Sequence, residues 1–181
     1  RRDVVLTIGV FDGVHLGHRE LAQQVTRRAR KRGCLGAAIT FHPHPRAVLA
    51  GDGPPCLTTL DERLTQLRGL GLDLVTHLQF SPQLAWLSAS EFMARICRHL
   101  RLRELWVGYD FALGHRREGT ADRLADIGEA LGYRVYSVPP LMVEGQTVSS
   151  TRIRALIRHG WIERVTHLLG RPHRVAGEVV D

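Results

Sequence analysis

The 181-residue chain carries 44% apolar and 24% charged side chains, enough for one domain with a buried core and too few residues for two ordinary ones, and it matches neither a disordered nor a fibrous composition. No apolar run approaches a membrane span, residues 1–9 lack the features of a secretion signal, and Cys34, Cys56 and Cys97 fit neither a disulfide framework nor a paired zinc knuckle, so a cytoplasmic protein with reduced cysteines is expected. A net charge of +7 raises nucleic acid as a partner, but the densest basic cluster, 27–32, falls where a helix should end and cations oppose the negative end of its dipole; neither a nucleic-acid nor a membrane partner is expected.

In chain order, Val4, Val5, Leu6 and Ile8 predict a buried strand ending at Gly9, followed by a loop and a helix over 18–32. A second buried strand is expected over 35–41. After the turn-rich stretch 51–55, Thr59 and Glu62 have capping-box spacing ahead of a helix carrying Leu60, Leu64 and Leu67. A strand over 72–80 follows. Ser88 and Glu91 repeat the box before a helix through Phe92, Ile96 and Leu100, and 104–107 makes a fourth strand. Leu124, Ile127 and Leu131 mark a further helix, 135–138 a strand and 151–159 a helix. Strands alternating with helices, each strand apolar on both faces, predict an α/β fold: a Rossmann-like parallel sheet with helices on both faces and ligands beyond the carboxyl ends of its strands. Residues 174–180 alternate like a strand that opens something further, so 1–170 is read as the domain and 171–181 as a linker and first strand of a second module.

Two clusters bear chemistry. The first runs from Gly9 to His18 between the first strand and first helix, where unpaired N–H groups and the helix dipole favour phosphate. Gly13 and Gly17 let backbone approach a ligand, and His15 and His18 can each donate a hydrogen bond to one phosphate group. The competing reading is a pair of capping or core histidines. The second cluster, Ser149, Ser150, Thr151 and Arg154, opens a late helix. One hydroxyl would suffice as a cap; three with a guanidinium one turn in make a fuller anion site. His42 and His44 suggest a metal pair only weakly, because no cysteine or carboxylate stands at ligand spacing nearby, and no protein metal site is expected.

The His-x-Gly-His sequence at 15–18 together with Ser-Ser-Thr-x-x-Arg at 149–154 resembles the nucleotidyltransferase superfamily. More narrowly, the chain resembles the N-terminal FAD synthetase (FMN adenylyltransferase) module of bacterial bifunctional riboflavin kinase/FAD synthetases, on the segments 9–18, 40–45, 87–92, 107–111, 138–140 and 168–172. The resemblance implies transfer of AMP from ATP to FMN, giving FAD and pyrophosphate, with Mg2+ accompanying ATP and with a C-terminal riboflavin kinase module absent here. It implies a catalytic role for His15, His18 and Arg154, and ATP contacts at these three and at Gly9, Phe11, Asp12, Gly13, Gly17, Gly108, Asp110, Ser149, Ser150 and Thr151. It places Phe41, Pro43, His44, Pro45 and Arg117 at the flavin end, although Pro43 and Pro45 could equally stiffen a loop.

Ala112 and Leu113 depart from the family's Arg-Phe before Gly114, and 108–119 reads as either a mobile flap or a plain surface loop. Two rivals stand beside FMN as acceptor. One is an adenylyltransferase for nicotinamide mononucleotide or phosphopantetheine, which Phe41-His42-Pro43-His44-Pro45 and the Leu169-Gly170-Arg171-Pro172 tail argue against. The other is a non-catalytic module binding nucleotide or nucleic acid.

Overall fold

A computed structural model describes residues 2–175 and 177. Its frame is five parallel strands: β1 (Asp3–Gly9), β2 (Leu35–His42), β3 (Leu74–Gln79), β4 (Arg101–Gly108) and β5 (Arg134–Val138), in the order β3-β2-β1-β4-β5. The long helices between them are α1 (Leu16–Arg32), α3 (Leu60–Arg68), α5 (Ala89–His99) and α6 (Ala121–Leu131), with the short helices α2 (Pro45–Ala50) and α4 (Pro82–Ala85) on either side of β3. A 3-10 turn spans His115–Arg117. After β5 a small hairpin, β6 (Met142–Val143) and β7 (Gln146–Thr147), leads to α7 (Ser150–Arg158) and α8 (Ile162–Leu169).

The period of two along β1 divides the core. Val4, Leu6 and Ile8 share one cluster with Phe92 and Met93 of α5 and Leu124 of α6, whereas Val5 packs with Leu21, Ala22 and Val25 of α1 and Leu67 of α3. A third cluster, around Ile153, Leu156, Val165 and Leu168, clamps α7 and α8 against Leu57. The expected parallel α/β sheet is therefore present, and both predicted capping boxes form: the Thr59 and Ser88 side chains accept from the Glu62 and Glu91 amides, and each glutamate accepts in return.

Three details differ from the sequence reading. α1 starts at Leu16 rather than 18, because the His15 imidazole caps it. β3 is not apolar on both faces: it is an edge strand, paired only with β2, and Leu74, Thr76, His77 and Gln79 are exposed. α2, α4, α8 and the hairpin were not anticipated. The strand expected over 174–180 lies largely outside the described residues. Part of the basic cluster at the end of α1 is internally matched, since Arg28 and Arg32 close on the buried Glu104 carboxylate of β4 at 2.8 and 3.0 Å.

Strands run outward from β1 in opposite senses, to β2 and β3 on one side and to β4 and β5 on the other, so the direction reverses between β1 and β4. A crevice opens at the carboxyl ends of such a pair. The loops following β1 and β4 meet there.

Candidate functional site

A cleft of about 460 Å3 occupies that switch point, lined by the loop after β1, by Gly108, Tyr109 and Asp110 after β4, by Val138 to Leu141 after β5, and by the start of α7. The loop after β1 is backbone under tension. Phe11 and Val14 have φ of 51° and 39°, positions L-residues seldom occupy, and Gly13 lies at 83°. A Cβ on Gly13 would also come within 2.9 Å of Leu57, so glycine is required there twice over.

The two histidines lie against each other, ring centroids 3.6 Å apart and planes 17° from parallel. His15 accepts the His18 backbone N–H at Nδ1 (3.3 Å), which leaves the proton of the neutral ring on Nε2. A Cβ on Gly17 would sit 3.3 Å from that ring, so the missing side chain makes room for His15. Burial pushes the His15 imidazole down to about 4, opposed by the Asp12 carboxylate, and pushes His18 well below the ordinary imidazole value, with the neighbouring His15 and then Arg63 adding to the effect. Both rings are thus neutral hydrogen-bonding groups at pH 7. His18 Nδ1 is buried and has no protein partner.

At the start of α7 each hydroxyl has a different task. Ser149 caps the helix by accepting the Arg152 N–H at 3.2 Å, and Ser150 donates to the Asp12 carbonyl at 2.9 Å, tying α7 to the loop after β1. Thr151 lines the cleft and is exposed. Arg152 turns away to the hairpin, donating to the carbonyls of Val143 and Gln146. Arg154 donates to Pro55 O at 2.7 Å and forms an ion pair with Asp12.

Asp12 borders the cleft, yet its carboxylate is turned to the protein. Only 2% exposed, it accepts from the Leu57 and Thr58 amides and faces Arg63 on one side and Arg154 on the other. Arg63, 1% exposed, also donates to Phe41 O at 3.1 Å; burial lowers its pKa, and Asp12 works against that. Sequence reasoning missed Arg63. The signal was present: Arg63 lies on the same helical face as Leu60, Leu64 and Leu67, a charge on an apolar stripe.

The other sequence-predicted positions divide in two. Gly17, Gly108, Asp110, His44 and Arg117 line the cleft, the last with φ 62° and its Nη2 donating to Asp110 O at 3.0 Å. Phe41 is instead a core residue packed edge-on to Phe80, Pro43 is exposed outside the cleft, and Pro45 opens α2 behind the His44 cap. A Cβ on Gly9 would collide with the Phe11 ring at 2.9 Å, which explains that glycine by packing. The segment 108–119 is anchored at its far end: His115 N donates to Leu87 O, Glu118 accepts from Ala89 N, and Leu113 bridges Gly119. Among the described residues, no group of three or more His, Cys, Asp or Glu side chains could hold a metal ion, and no helix is long and apolar enough to cross a membrane.

Comparison with known proteins fits this geometry. Residues 1–152 match the model of the FAD synthetase family. Bifunctional riboflavin kinase/FMN adenylyltransferases are 37% identical over 97% of the chain in Escherichia coli strain K12 and 36% identical over 99% in Pseudomonas fluorescens. The chain spans 57% and 58% of those relatives' lengths. A solved structure described as a macrolide-efflux protein from Streptococcus pneumoniae superposes with a TM-score of 0.84 at 32% identity, over 95% of this chain and 56% of that one. Pantothenate synthetase from Thermus thermophilus, at 16% identity and a TM-score of 0.52 over 94% of this chain and 71% of its own, shares the fold. The chain belongs to the FAD synthetase family.

Proposed function

We propose that this chain transfers AMP from ATP to FMN, forming FAD and pyrophosphate. The observation that carries the reading is the convergence, on one cleft, of two neutral stacked imidazoles and a helix start bearing Thr151 and Arg154. A phosphate oxygen of FMN attacks the α-phosphorus of ATP; the new P–O bond forms as the bond to the bridging αβ oxygen breaks, and its electron pair leaves with pyrophosphate. The nucleophile is anionic already, so the protein's part is to position two anions and to stabilise charge as it spreads.

In this reading the Nε2–H of His15 and the His18 ring donate to phosphate oxygens, and their neutrality lets them do so without the desolvation cost of a buried cation. Thr151 and the open N–H groups of α7 take the polyphosphate, while Asp12 holds Arg154 at the cleft wall. Gly108, Asp110 and the loop after β1 take the adenosine half, with His44 and Arg117 toward the flavin. Asp12, Phe11, Gly9, Gly13, Ser149, Ser150 and Phe41 act from beneath, through packing and hydrogen bonds. Among the described residues no carboxylate cage faces the cleft, since Asp12 is taken up by Arg63 and Arg154; an accompanying Mg2+ would be held by phosphate oxygens and water and would offset polyphosphate charge. We further propose 1–170 as the catalytic unit, 171–181 as the join to a riboflavin kinase module, and the cytoplasm as its workplace.

The test is product analysis. Purified chain with ATP and Mg2+ is given FMN, nicotinamide mononucleotide or phosphopantetheine in separate reactions. FAD formed with FMN, and no adduct with the others, is the expected result; an adduct with another acceptor instead would overturn the acceptor assignment.

A further inference from the structure

A second cavity, of about 540 Å3, adjoins the cleft at the start of α7 and shares His44, Thr151 and Arg154 with it. Its wall carries three guanidiniums, Arg46, Arg154 and Arg158, against one carboxylate, Asp52. Two of those arginines are committed. Arg154 binds Asp12 and Pro55 O, and Arg46 stands 3.9 Å from Asp52. Arg158 is different: at the last position of α7, one helical turn beyond Arg154 and on the same face, it has no ion-pair or hydrogen-bond partner among the described residues. A cation at a helix C-terminus suits the dipole, but that alone does not account for its placement in a cavity joined to the cleft through Arg154.

The β- and γ-phosphates of ATP extend beyond the α-phosphorus and leave as pyrophosphate, so an adenylyl-transfer site needs room for them next to the residues that hold the polyphosphate. We propose that the second cavity is the vestibule for the departing pyrophosphate, with Arg158 as its anchor. The inference rests on the adenylyl-transfer reading and adds to it an exit route and a residue that the phosphate motifs do not contain. The ligand class is a polyphosphate anion: pyrophosphate after transfer, and the same phosphates as the β- and γ-groups of ATP before it. Arg158 is exposed, so replacing it spares the core.

The experiment compares the full chain with its Arg158→Ala, Arg158→Lys and Arg158→Glu variants in two assays. In the reverse reaction, FAD plus pyrophosphate giving ATP plus FMN, Arg158→Ala should raise the KM for pyrophosphate roughly tenfold and leave the KM for FAD unchanged. Arg158→Lys should recover most of the loss, and Arg158→Glu should exceed it. Calorimetric titration with inorganic pyrophosphate, which needs no turnover, should show the same ranking, whereas binding of AMP should not change. If wild type makes FAD but Arg158→Ala keeps its pyrophosphate KM, the vestibule is wrong and the proposed function stands. If wild type makes no FAD, that function falls and the titration alone decides: weakened pyrophosphate binding in Arg158→Ala supports the anion site, and unchanged binding overturns it.

Discussion

Asp12 and Arg154 are 142 residues apart in the chain and share an ion pair beneath the cleft. That contact joins the loop after β1 to α7, the two segments whose spacing carried the phosphate motifs. It is reinforced by Ser150 Oγ donating to the Asp12 carbonyl and by Arg63 approaching the same carboxylate from the interior. Asp12 is thus the node on which both halves of the site close.

Removing that node's charge should be costly. Asp12→Asn leaves the buried Arg63 without a counter-charge and is expected to lower unfolding free energy by about 3–5 kcal/mol. Arg63→Met leaves Asp12 paired with Arg154 and should cost less. Urea unfolding of the two variants checks the order; equal losses would show that Asp12 does not serve both arginines.

The imidazoles give stability a defined pH dependence. His15 is shifted from 6.5 in the unfolded chain to about 4 in the folded one, and His18 is shifted in the same direction. Above pH 6.5 both states hold these rings neutral and the contribution is complete. Between 6.5 and about 4 the unfolded chain binds a proton at His15 that the folded one does not, so stability falls as pH drops, by about 1.4 kcal/mol per pH unit from His15, and His18 acts in the same direction. Unfolding measured at pH 7 and pH 5 should show this slope, and His15→Asn, which retains a helix-capping side chain, should flatten it.

The loop after β4 depends on two glycines. Gly114 has φ 80°, and a Cβ there would lie 2.6 Å from Ala89 N; a Cβ on Gly119 would lie 2.6 Å from Ala89 Cβ. Gly114→Ala should destabilise the protein by about 1–3 kcal/mol. It should also disturb Arg117 and raise the KM for FMN, readable by steady-state kinetics beside a thermal melt.

Much of this fold is written in local signals, and the exceptions have physical causes. The capping boxes at Thr59 and Ser88, and the apolar runs of β1 and β2, are short-range features that a sequence displays directly. α8 escapes because Trp161 offers no side-chain cap, and α2 and α4 are single short turns that Pro45 and Pro82 open. β3 misleads because an edge strand need not be apolar on both faces. At the site, the histidines and hydroxyls were visible from spacing, but the division of labour was not. Whether Ser149 caps and Ser150 crosslinks depends on where Asp12 sits, and the Asp12–Arg63 pair spans 51 positions with no periodicity to announce it.

The central claim is that the stacked imidazoles stabilise charge developing on phosphate, and His18→Ala tests it most directly. Measured as the single-turnover rate of AMP transfer from ATP to FMN, the variant is predicted to lose about 2.7–4 kcal/mol of transition-state stabilisation, a hundredfold to thousandfold drop, with ATP binding little changed. A folded His18→Ala protein that transfers AMP at the wild-type rate would contradict the account.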